Sequence, residues 1–319
     1  MMARPRIKPQ HMSLVATTAV FLLLYGLATL RYPGFASWFQ TTELVATNAP
    51  LGLAAIGMTF VILSGGIDLS VGAVIALSSI LLAKCLATWN LPVSLAILAV
   101  LFGGTLFGTA SGVVIRWFRL PPFLVTLAAM FLARGVALVL TEEKRLSIAG
   151  HASFDPLVDF LIFGFNIPAL FFLATIMLAI GIARYSRFGR NVYAIGGSAQ
   201  SALLMGLPVG RTTVMVYALS GLCAAGGGIL HAIGSQSGDA LSAQLLELDA
   251  IAAVVIGGTL LSGGVGSVAG TFLGVLILSV ITVVPAYEGN LNSWWTKIAI
   301  GGLLLAFIVL QRLLQRNRN

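Results

Sequence analysis

The stretch GMTFVILSGGIDLSVGAVIAL, residues 57–77, decides which class of fold this chain adopts. It contains an apolar run, a Ser-Gly-Gly interruption and a second apolar run, and Asp68 is its only charged residue. Apolar segments that lack a polar face are typical of helices surrounded by lipid or by other helices. The stretch therefore predicts two membrane helices joined by a short break that contains glycine.

The composition extends this prediction to the whole chain of 319 residues. Hydrophobic residues make up 58% and charged residues 9%, and the mean hydropathy is +1.01. Soluble domains carry about 25% charged residues, so a water-soluble globule of this length would lack the charge to cover its surface. Soluble enzymes, nucleic-acid-binding proteins and secreted disulfide-rich domains are excluded as leading interpretations. The two cysteines, Cys85 and Cys223, lie in apolar stretches and predict neither a disulfide nor a metal site.

The hydropathy pattern predicts an all-α, polytopic membrane protein with about ten transmembrane helices in one domain, residues 1–319. A spanning helix needs about 20 predominantly apolar residues. The candidate spans are residues 13–30, 44–63, 69–88, 91–115, 122–140, 161–183, 211–234, 245–261, 265–285 and 294–310. The first apolar run follows basic residues as in a signal peptide, but no small-residue cleavage site follows it. We therefore expect it to be retained as the first helix.

The charges predict the orientation of these spans. The chain has 18 Lys and Arg residues against 10 Asp and Glu residues, a net charge of +8. When the N-terminus is placed inside and the sides alternate, twelve basic residues fall in inner segments, and all acidic residues except Asp68 fall on or near the outer side. Inner loops of membrane proteins collect Lys and Arg. An even number of spans with both termini cytoplasmic therefore accounts for the surplus without any nucleic-acid partner.

Two loops are longer than the others. The outer loop, residues 141–160, carries mixed charge and suits either a docking surface or a solvated loop. The inner loop, residues 184–210, begins with a basic cluster and contains a small-residue segment with an apolar face, residues 198–205. Gly206 and the glycine pair at 196–197 delimit this segment as a short helix on the membrane surface. It is either an interfacial anchor or a helix that docks on a partner, and its lack of Trp and of basic residues favours docking.

The tetrapeptide LSGG occurs twice, at residues 63–66 and 261–264. The same letters form a signature of ABC ATPases, but no phosphate-binding G-x-x-x-x-G-K-[ST] motif exists in the chain, so we expect it to bind no nucleotide itself. The glycines instead favour close helix approach or helix breaks beside a cavity. Residues 57–77 and 255–275 share the order helix, Ser-Gly-Gly and helix, which is either an internal repeat or the ordinary likeness of small-residue membrane helices.

Asp68 is the acidic residue that stands out, because a carboxylate beside a membrane span is a functional candidate. The alternative is a helix cap, with Asp68 or Ser70 at the start of the helix 69–88, and this alternative is favoured. Glu247 and Asp249 open another span in the same way, as acidic residues of a first turn.

Two basic residues fall within or near spans. Arg134 lies inside the span 122–140, where it either pairs internally or extends its charged head to the interface. Lys297 lies near a span end and is expected to extend to the interface in the same way.

Three blocks of sequence carry a family resemblance: FVILSGGIDLSVG (60–72), RFGRNVYAIGG (187–197) with SALLMGL (201–207), and ELDAIAAVVIGGTLLSGGVGS (247–267). Together they resemble the permease subunits of bacterial sugar ABC importers of the ribose/xylose/galactose branch, over almost the whole chain. The segment NSWWTKIAIG (292–301) is most similar to galactofuranose permeases. The resemblance implies a multi-pass protein of the bacterial inner membrane that transports a monosaccharide by alternating access and is not itself an enzyme.

The resemblance also implies partners and site residues. A cytoplasmic ABC ATPase would hydrolyse ATP, an extracytoplasmic binding protein would deliver the sugar at outer loops including 141–160, and a second permease chain, identical or different, would complete the pore within the lipid. The predicted ATPase-coupling residues are Ser198, Ala199, Ser201, Ala202, Leu204, Met205 and Gly206. The residues of the family motifs are Gly65, Gly66, Asp68, Ser70, Gly72, Glu247 and Asp249.

Polar residues within spans are candidates to line the sugar path, because sugar hydroxyls need hydrogen-bond partners in a dry passage. These residues are Asn48, Thr59, Ser64, Thr126 and Ser220. The alternative function is a stand-alone facilitator or secondary transporter. Proton- or ion-coupled transporters usually contain chains of buried ionisable residues, and the nearly charge-free spans favour an external source of energy instead.

Overall fold

The computed structural model describes residues 9–152, 154–288 and 294–316, and the described chain is almost entirely helical. The helices are α1 (Pro9–Arg31), α2 (Trp38–Thr47), α3 (Ala49–Leu63), α4 (Val71–Ala87), α5 (Val93–Phe118), α6 (Pro122–Thr141), α7 (Asp155–Val158), α8 (Ile167–Tyr185), α9 (Arg187–Gly197), α10 (Ala199–Leu204), α11 (Val209–Ser235), α12 (Leu246–Ile256), α13 (Val268–Glu288) and α14 (Trp294–Arg316). Four two-residue strands are β1 (Leu146–Ser147), β2 (Leu161–Ile162), β3 (Phe165–Asn166) and β4 (Ser237–Gly238). The all-α, polytopic prediction is confirmed.

Helix α11 lies at the centre of the bundle and packs against α3, α4 and α5. The contact with α5 depends on three glycines spaced four residues apart, Gly104, Gly108 and Gly112. A methyl group added at Gly108 would collide with the Tyr217 carbonyl, and one at Gly112 would lie 2.9 Å from a backbone atom of α11. Small residues at this spacing let two helix backbones approach closely, so packing rather than hydrophobic exclusion holds the helices together inside the membrane.

Fewer helices are long enough to cross a membrane than the ten predicted. Among the described residues, six helices are long and apolar enough: α1, α5, α6, α8, α11 and α13. Helices α2 and α3 form a seventh span only as a pair, bent by 52° where Asn48 and Pro50 lie. The predicted span 44–63 is therefore a broken one, because proline at the start of α3 cannot donate the hydrogen bond that would continue α2.

The predicted span 245–261 differs most from the structure. Helix α12 has only 11 residues, and at about 1.5 Å per residue it covers roughly half of a hydrocarbon core that is about 30 Å thick. The chain before it, residues 237–245, is non-helical and runs down the side of α4. Its Gly238 packs against Ile80 and its Ala243 carbonyl lies beside Gly72. A two-residue strand and a series of turns, followed by a half-helix, replace the continuous span.

Outer elements connect the ends of these helices. Strand β1, which follows α6, pairs with β4, which follows α11, and Arg145 donates a 2.8 Å hydrogen bond to Ser237. At the same side, Tyr32 after α1 donates to Glu288 at the end of α13. This hydrogen bond raises the pKa of the Tyr32 phenol. Of the helix ends that charge analysis assigns to the outside, those of α6 and α11 are therefore joined to each other, and so are those of α1 and α13.

Candidate functional site

The break between α3 and α4 holds a buried carboxylate, Asp68, which is 3% exposed. Asp68 Oδ1 accepts hydrogen bonds from the Ser70 backbone N–H at 2.9 Å and from Ser70 Oγ at 2.6 Å. Asp68 Oδ2 accepts a 2.7 Å hydrogen bond from Ser220 Oγ on α11. A carboxylate buried at this depth is stable only when such donors surround it. Asp68 therefore joins the α3–α4 break to the central helix.

The expectation that Asp68 or Ser70 caps a helix needs a correction. Ser70 does occupy the position before α4, but neither side chain makes a capping hydrogen bond to that helix. Ser70 Oγ donates to Asp68 instead, and Asp68 also accepts a hydrogen bond from Ser220. The helix start is consequently held by a link between two elements, which spacing along one chain segment does not reveal. The prediction for Glu247 and Asp249 is confirmed, since both lie in the first turn of α12.

The residues proposed to line the sugar path all make hydrogen bonds inside the chain. Asn48 and Ser64 each donate a hydrogen bond to a backbone carbonyl of the helix that they end. Thr126 donates to the carbonyls of Pro122 and Ile67. The Thr59 hydroxyl bonds the Ala55 carbonyl and the Thr271 hydroxyl, and the Ser220 hydroxyl donates to the Asp68 carboxylate. Thr59, Thr126 and Ser220 are fully buried. The structure brings only Ser220 of this group together with Asp68. The role of the five in sugar contact stays a prediction.

Both Ser-Gly-Gly breaks meet at one point of the structure. The backbone N–H of Gly264 donates a 2.9 Å hydrogen bond to the Leu63 carbonyl, and a methyl group at Gly263 would lie 3.0 Å from the Gly65 nitrogen. Gly263 has φ +84° and Gly65 has φ +85°, a left-handed region that favours glycine. The two LSGG motifs are therefore in direct backbone contact, which sequence reasoning treated only as a possible repeat.

The end of helix α9 completes this junction, which we call the glycine junction: Leu63–Gly65, Gly196–Gly197 and Gly263–Gly264. A methyl group at Gly196 would collide with the Leu63 carbonyl and the Gly264 nitrogen. Tyr193, one turn earlier on α9, donates a 3.0 Å hydrogen bond to the Gly266 carbonyl. Burial raises the pKa of this phenol, so it remains a donor at neutral pH. Any displacement of α9 thus acts directly on both breaks.

The predicted surface helix 198–205 is confirmed as α10. Ser198 caps it through a 3.1 Å hydrogen bond from the Ser201 N–H, and Gly206 ends it at φ +77°. Ala202 is fully buried against the bundle, whereas Leu204 is 83% and Met205 69% exposed. The loop 184–210, which charge analysis assigns to the inside, therefore presents an apolar tip, whose exposed residues are Leu203, Leu204 and Met205. Helix α9, which precedes it, was predicted only as part of a loop.

The half-helix α12 begins in a polar region deep in the bundle. Glu247 is buried beside Gly72, where a methyl group would collide with its Oε2 atom. Asp249 forms an ion pair of 2.7 Å with Lys297 of α14, so Lys297 is paired rather than extended to the interface. Arg134 of α6 donates to the carbonyls of Ala240 and Ser242, so of the two alternatives for Arg134 the structure shows the internal one.

These features define a class of protein: a multi-pass α-helical membrane protein with broken helices, and an exposed apolar tip linked through α9 to those breaks. Comparison with known proteins identifies the family. The profile described as the permease component of branched-chain amino acid transport systems matches residues 40–308. The chain belongs to this family of ABC transporter permeases, and it is a multi-pass protein of the inner membrane.

Individual relatives agree over nearly the whole chain. The inner membrane ABC transporter permease YjfF of Escherichia coli K12 is 46% identical over 95% of this chain and 92% of its own length. The ribose import permease RbsC of Bacillus subtilis 168 is 37% identical over 92% and 90%. The galactose/methyl galactoside import permease MglC of Salmonella typhimurium LT2 is 32% identical over 92% of each chain. The resemblance to permeases of sugar ABC importers is confirmed. No solved structure matches this chain.

Proposed function

We propose that this chain is the membrane-spanning permease subunit of an ATP-driven importer that carries a monosaccharide inward by alternating access. The relatives named for ribose and galactose import support a sugar as the substrate class. The single structural observation that carries the proposal is the glycine junction, because it connects a cytoplasmic docking tip to both broken helices. In this proposal the chain binds no cofactor, and ATP is bound and hydrolysed by a partner ATPase.

The ATPase would dock on the apolar tip of α10. Leu203, Leu204 and Met205 are exposed leucine and methionine side chains at an end of the chain where basic residues mark the cytoplasm. An exposed apolar cluster on a helix end fits a hydrophobic groove of a partner. Movement of α10 would pass through α9 to the glycine junction and change the angle of the broken helices.

We further propose ten crossings of the membrane with both termini cytoplasmic. Six helices and the bent α2–α3 pair supply seven of them. The shorter apolar helices α4 and α14 supply two more, and the non-helical segment 237–245 with α12 supplies the tenth. The outer loop 141–160, joined to β4 through β1, would face the extracytoplasmic binding protein, and a second permease chain would close the pore.

Galactofuranose is our proposed substrate, on the basis of the segment NSWWTKIAIG at 292–301 and its likeness to permeases for that sugar. The test is uptake of radiolabelled galactofuranose, ribose and galactose by the reconstituted importer with its cognate binding protein. Preferential uptake of galactofuranose supports the assignment. Preference for ribose or galactose contradicts it and leaves the permease function intact.

The docking tip is tested by co-purification of the ATPase with Leu204→Asp, which places a charge on the most exposed part of the tip. We expect normal membrane insertion and loss of ATPase association. The matched control is Gln200→Glu, which places a negative charge on an exposed position of the same helix. Gly206→Arg is expected to abolish association too, but its left-handed φ adds backbone strain, so Leu204→Asp is the cleaner variant. Retention of the ATPase by Leu204→Asp would contradict the assignment.

A further inference from the structure

The chain between α11 and α12 exposes non-helical backbone at membrane depth. Residues 237–245 descend along α4 from Ile80 to Gly72, eight residues that correspond to about 12 Å of depth in a helix. Leu241, Gln244 and Leu245 on this segment are exposed in the isolated chain. Lipid offers no hydrogen bonds, so non-helical backbone at this depth persists only where protein buries it or where it lines a water-filled cavity.

Charged side chains gather around the same segment. Arg134 satisfies the carbonyls of Ala240 and Ser242 from one side. On the other side, Asp249 and Lys297 form an ion pair whose side chains are 23% and 44% exposed. Partly exposed charges within membrane segments face cavities or partner subunits rather than hydrocarbon. Two features, an exposed non-helical segment and charged side chains, thus mark one face of the chain, formed by α6, residues 239–245, α12 and α14.

Just behind this face, between α12 and α4, Glu247 has an unused hydrogen-bonding atom. The residue is 8% exposed, and its Oε2 atom has no hydrogen-bond partner among the described residues. Gly72 provides the space beside that oxygen, since any larger side chain there would collide with it. A buried carboxylate oxygen without a donor is costly, and the hydroxyl group of a sugar is a donor of the kind it lacks.

We propose that this face lines the aqueous path of the sugar and that Glu247 accepts a hydrogen bond from a hydroxyl group of the passing monosaccharide. The opposite wall of the path is the second permease chain. The inference rests on the proposed import function and deepens it, because it gives the path a location and one recognition residue. The five span residues predicted from sequence are already bonded within the chain.

The location is tested by the reaction of single cysteines with a charged, membrane-impermeant thiol reagent, in a background with Cys85→Ala and Cys223→Ala. The test variant is Leu248→Cys, next to Glu247, whose native side chain is 51% exposed. The control is Leu106→Cys on α5, whose native side chain is 57% exposed. Leu106 lies between Gly104 and Gly108, which pack against Gly221 and Tyr217 of the central helix α11. We expect the reagent to label Leu248→Cys in the assembled importer and not Leu106→Cys. Failure to label Leu248→Cys would overturn the proposed location, whether lipid or a dry interface covers it.

The role of Glu247 is tested by the half-saturation concentration for sugar uptake. The amide oxygen of Gln can still accept a hydrogen bond, but a hydrogen bond to a neutral acceptor is about half as strong as one to a carboxylate. Glu247→Gln is therefore expected to raise this concentration about fivefold while ATPase association remains normal. Glu43→Gln, which changes an exposed carboxylate on α2, is expected to leave it unchanged. An unchanged half-saturation concentration for Glu247→Gln would overturn the role of Glu247 in sugar binding. Labelling of Leu248→Cys does not depend on sugar, so its result would still hold if the proposed transport function failed.

Discussion

Ser220 on the central helix α11 donates a 2.7 Å hydrogen bond to Asp68 in the break between α3 and α4. Both residues are buried, and the two lie 152 positions apart in the chain. The bond fixes the break against the helix that organises the bundle. Asp68 accepts its hydrogen bonds from donors within the chain. It therefore links two structural elements and is not a carboxylate left free to bind sugar.

Removal of this bond should destabilise the protein. Ser220→Ala leaves one oxygen of a buried carboxylate without its donor, and hydrogen bonds to charged groups contribute about 1.5–3 kcal/mol. We expect a clear fall in the melting temperature of the detergent-solubilised protein. The control is Ser279→Ala, because Ser279 is equally buried but bonds only a carbonyl of its own helix. Equal melting temperatures for the two variants would contradict the role of the Ser220–Asp68 bond.

Helix α5 should tolerate an added methyl group only on the face that does not contact α11. Gly108→Ala places its Cβ against the Tyr217 carbonyl, and forcing extra volume into a packed contact costs about 1–3 kcal/mol. Gly103→Ala, on the same helix, meets no atom within 4 Å. We expect thermal unfolding in detergent to show a loss for Gly108→Ala and none for Gly103→Ala. A tolerated Gly108→Ala would mean that α5 and α11 are not in close backbone contact.

The glycine junction predicts a difference between two adjacent residues. Gly196→Ala would drive the end of α9 away from Leu63 and Gly264, whereas Gly197→Ala meets no atom within 4 Å. We expect Gly196→Ala to reduce the amount of sugar imported per ATP hydrolysed, with the ATPase still bound. Gly197→Ala should behave as the unmodified protein. The stoichiometry of uptake to hydrolysis in proteoliposomes measures this, and a normal ratio for Gly196→Ala would contradict transmission through the junction.

Tyr193 offers a milder disturbance of the same link. Tyr193→Phe removes the hydrogen bond to the Gly266 carbonyl and keeps the ring in place. A neutral hydrogen bond contributes about 0.5–1.5 kcal/mol net, so we expect the same uptake-to-hydrolysis ratio to fall by only a few-fold. The control Tyr185→Phe changes an exposed tyrosine at the end of α8. An unchanged ratio of uptake to hydrolysis for Tyr193→Phe, together with a reduced ratio for Tyr185→Phe, would contradict this expectation.

The helical class, the cytoplasmic surface helix and the first-turn carboxylates of α12 follow from sequence because each depends on local properties. Hydropathy, glycine punctuation and first-turn acidity are read within a few residues of the feature that they predict. The close contact of α5 was also predictable from a local pattern, the glycines at positions 104, 108 and 112, although the sequence interpretation did not use it.

The breaks within the spans and the role of Asp68 could not be predicted by these means. Hydropathy averages apolar content over a window and cannot register that residues 237–245 are non-helical while α12 is helical. The donors to Asp68 include Ser220, and the donor to the Ala240 carbonyl is Arg134, 106 positions away. Such contacts arise from packing between segments far apart in the chain, which patterns within one local stretch of sequence do not show.

The central claim is that this permease imports sugar only with the energy and delivery supplied by partners. Its most direct test is uptake of radiolabelled monosaccharide into proteoliposomes that contain the permease alone, or the permease with its ATPase, its binding protein and ATP. We predict uptake only in the complete system, and none when ATP or the binding protein is left out. Accumulation of sugar by the permease alone would contradict the claim and identify the chain as a facilitator or secondary transporter.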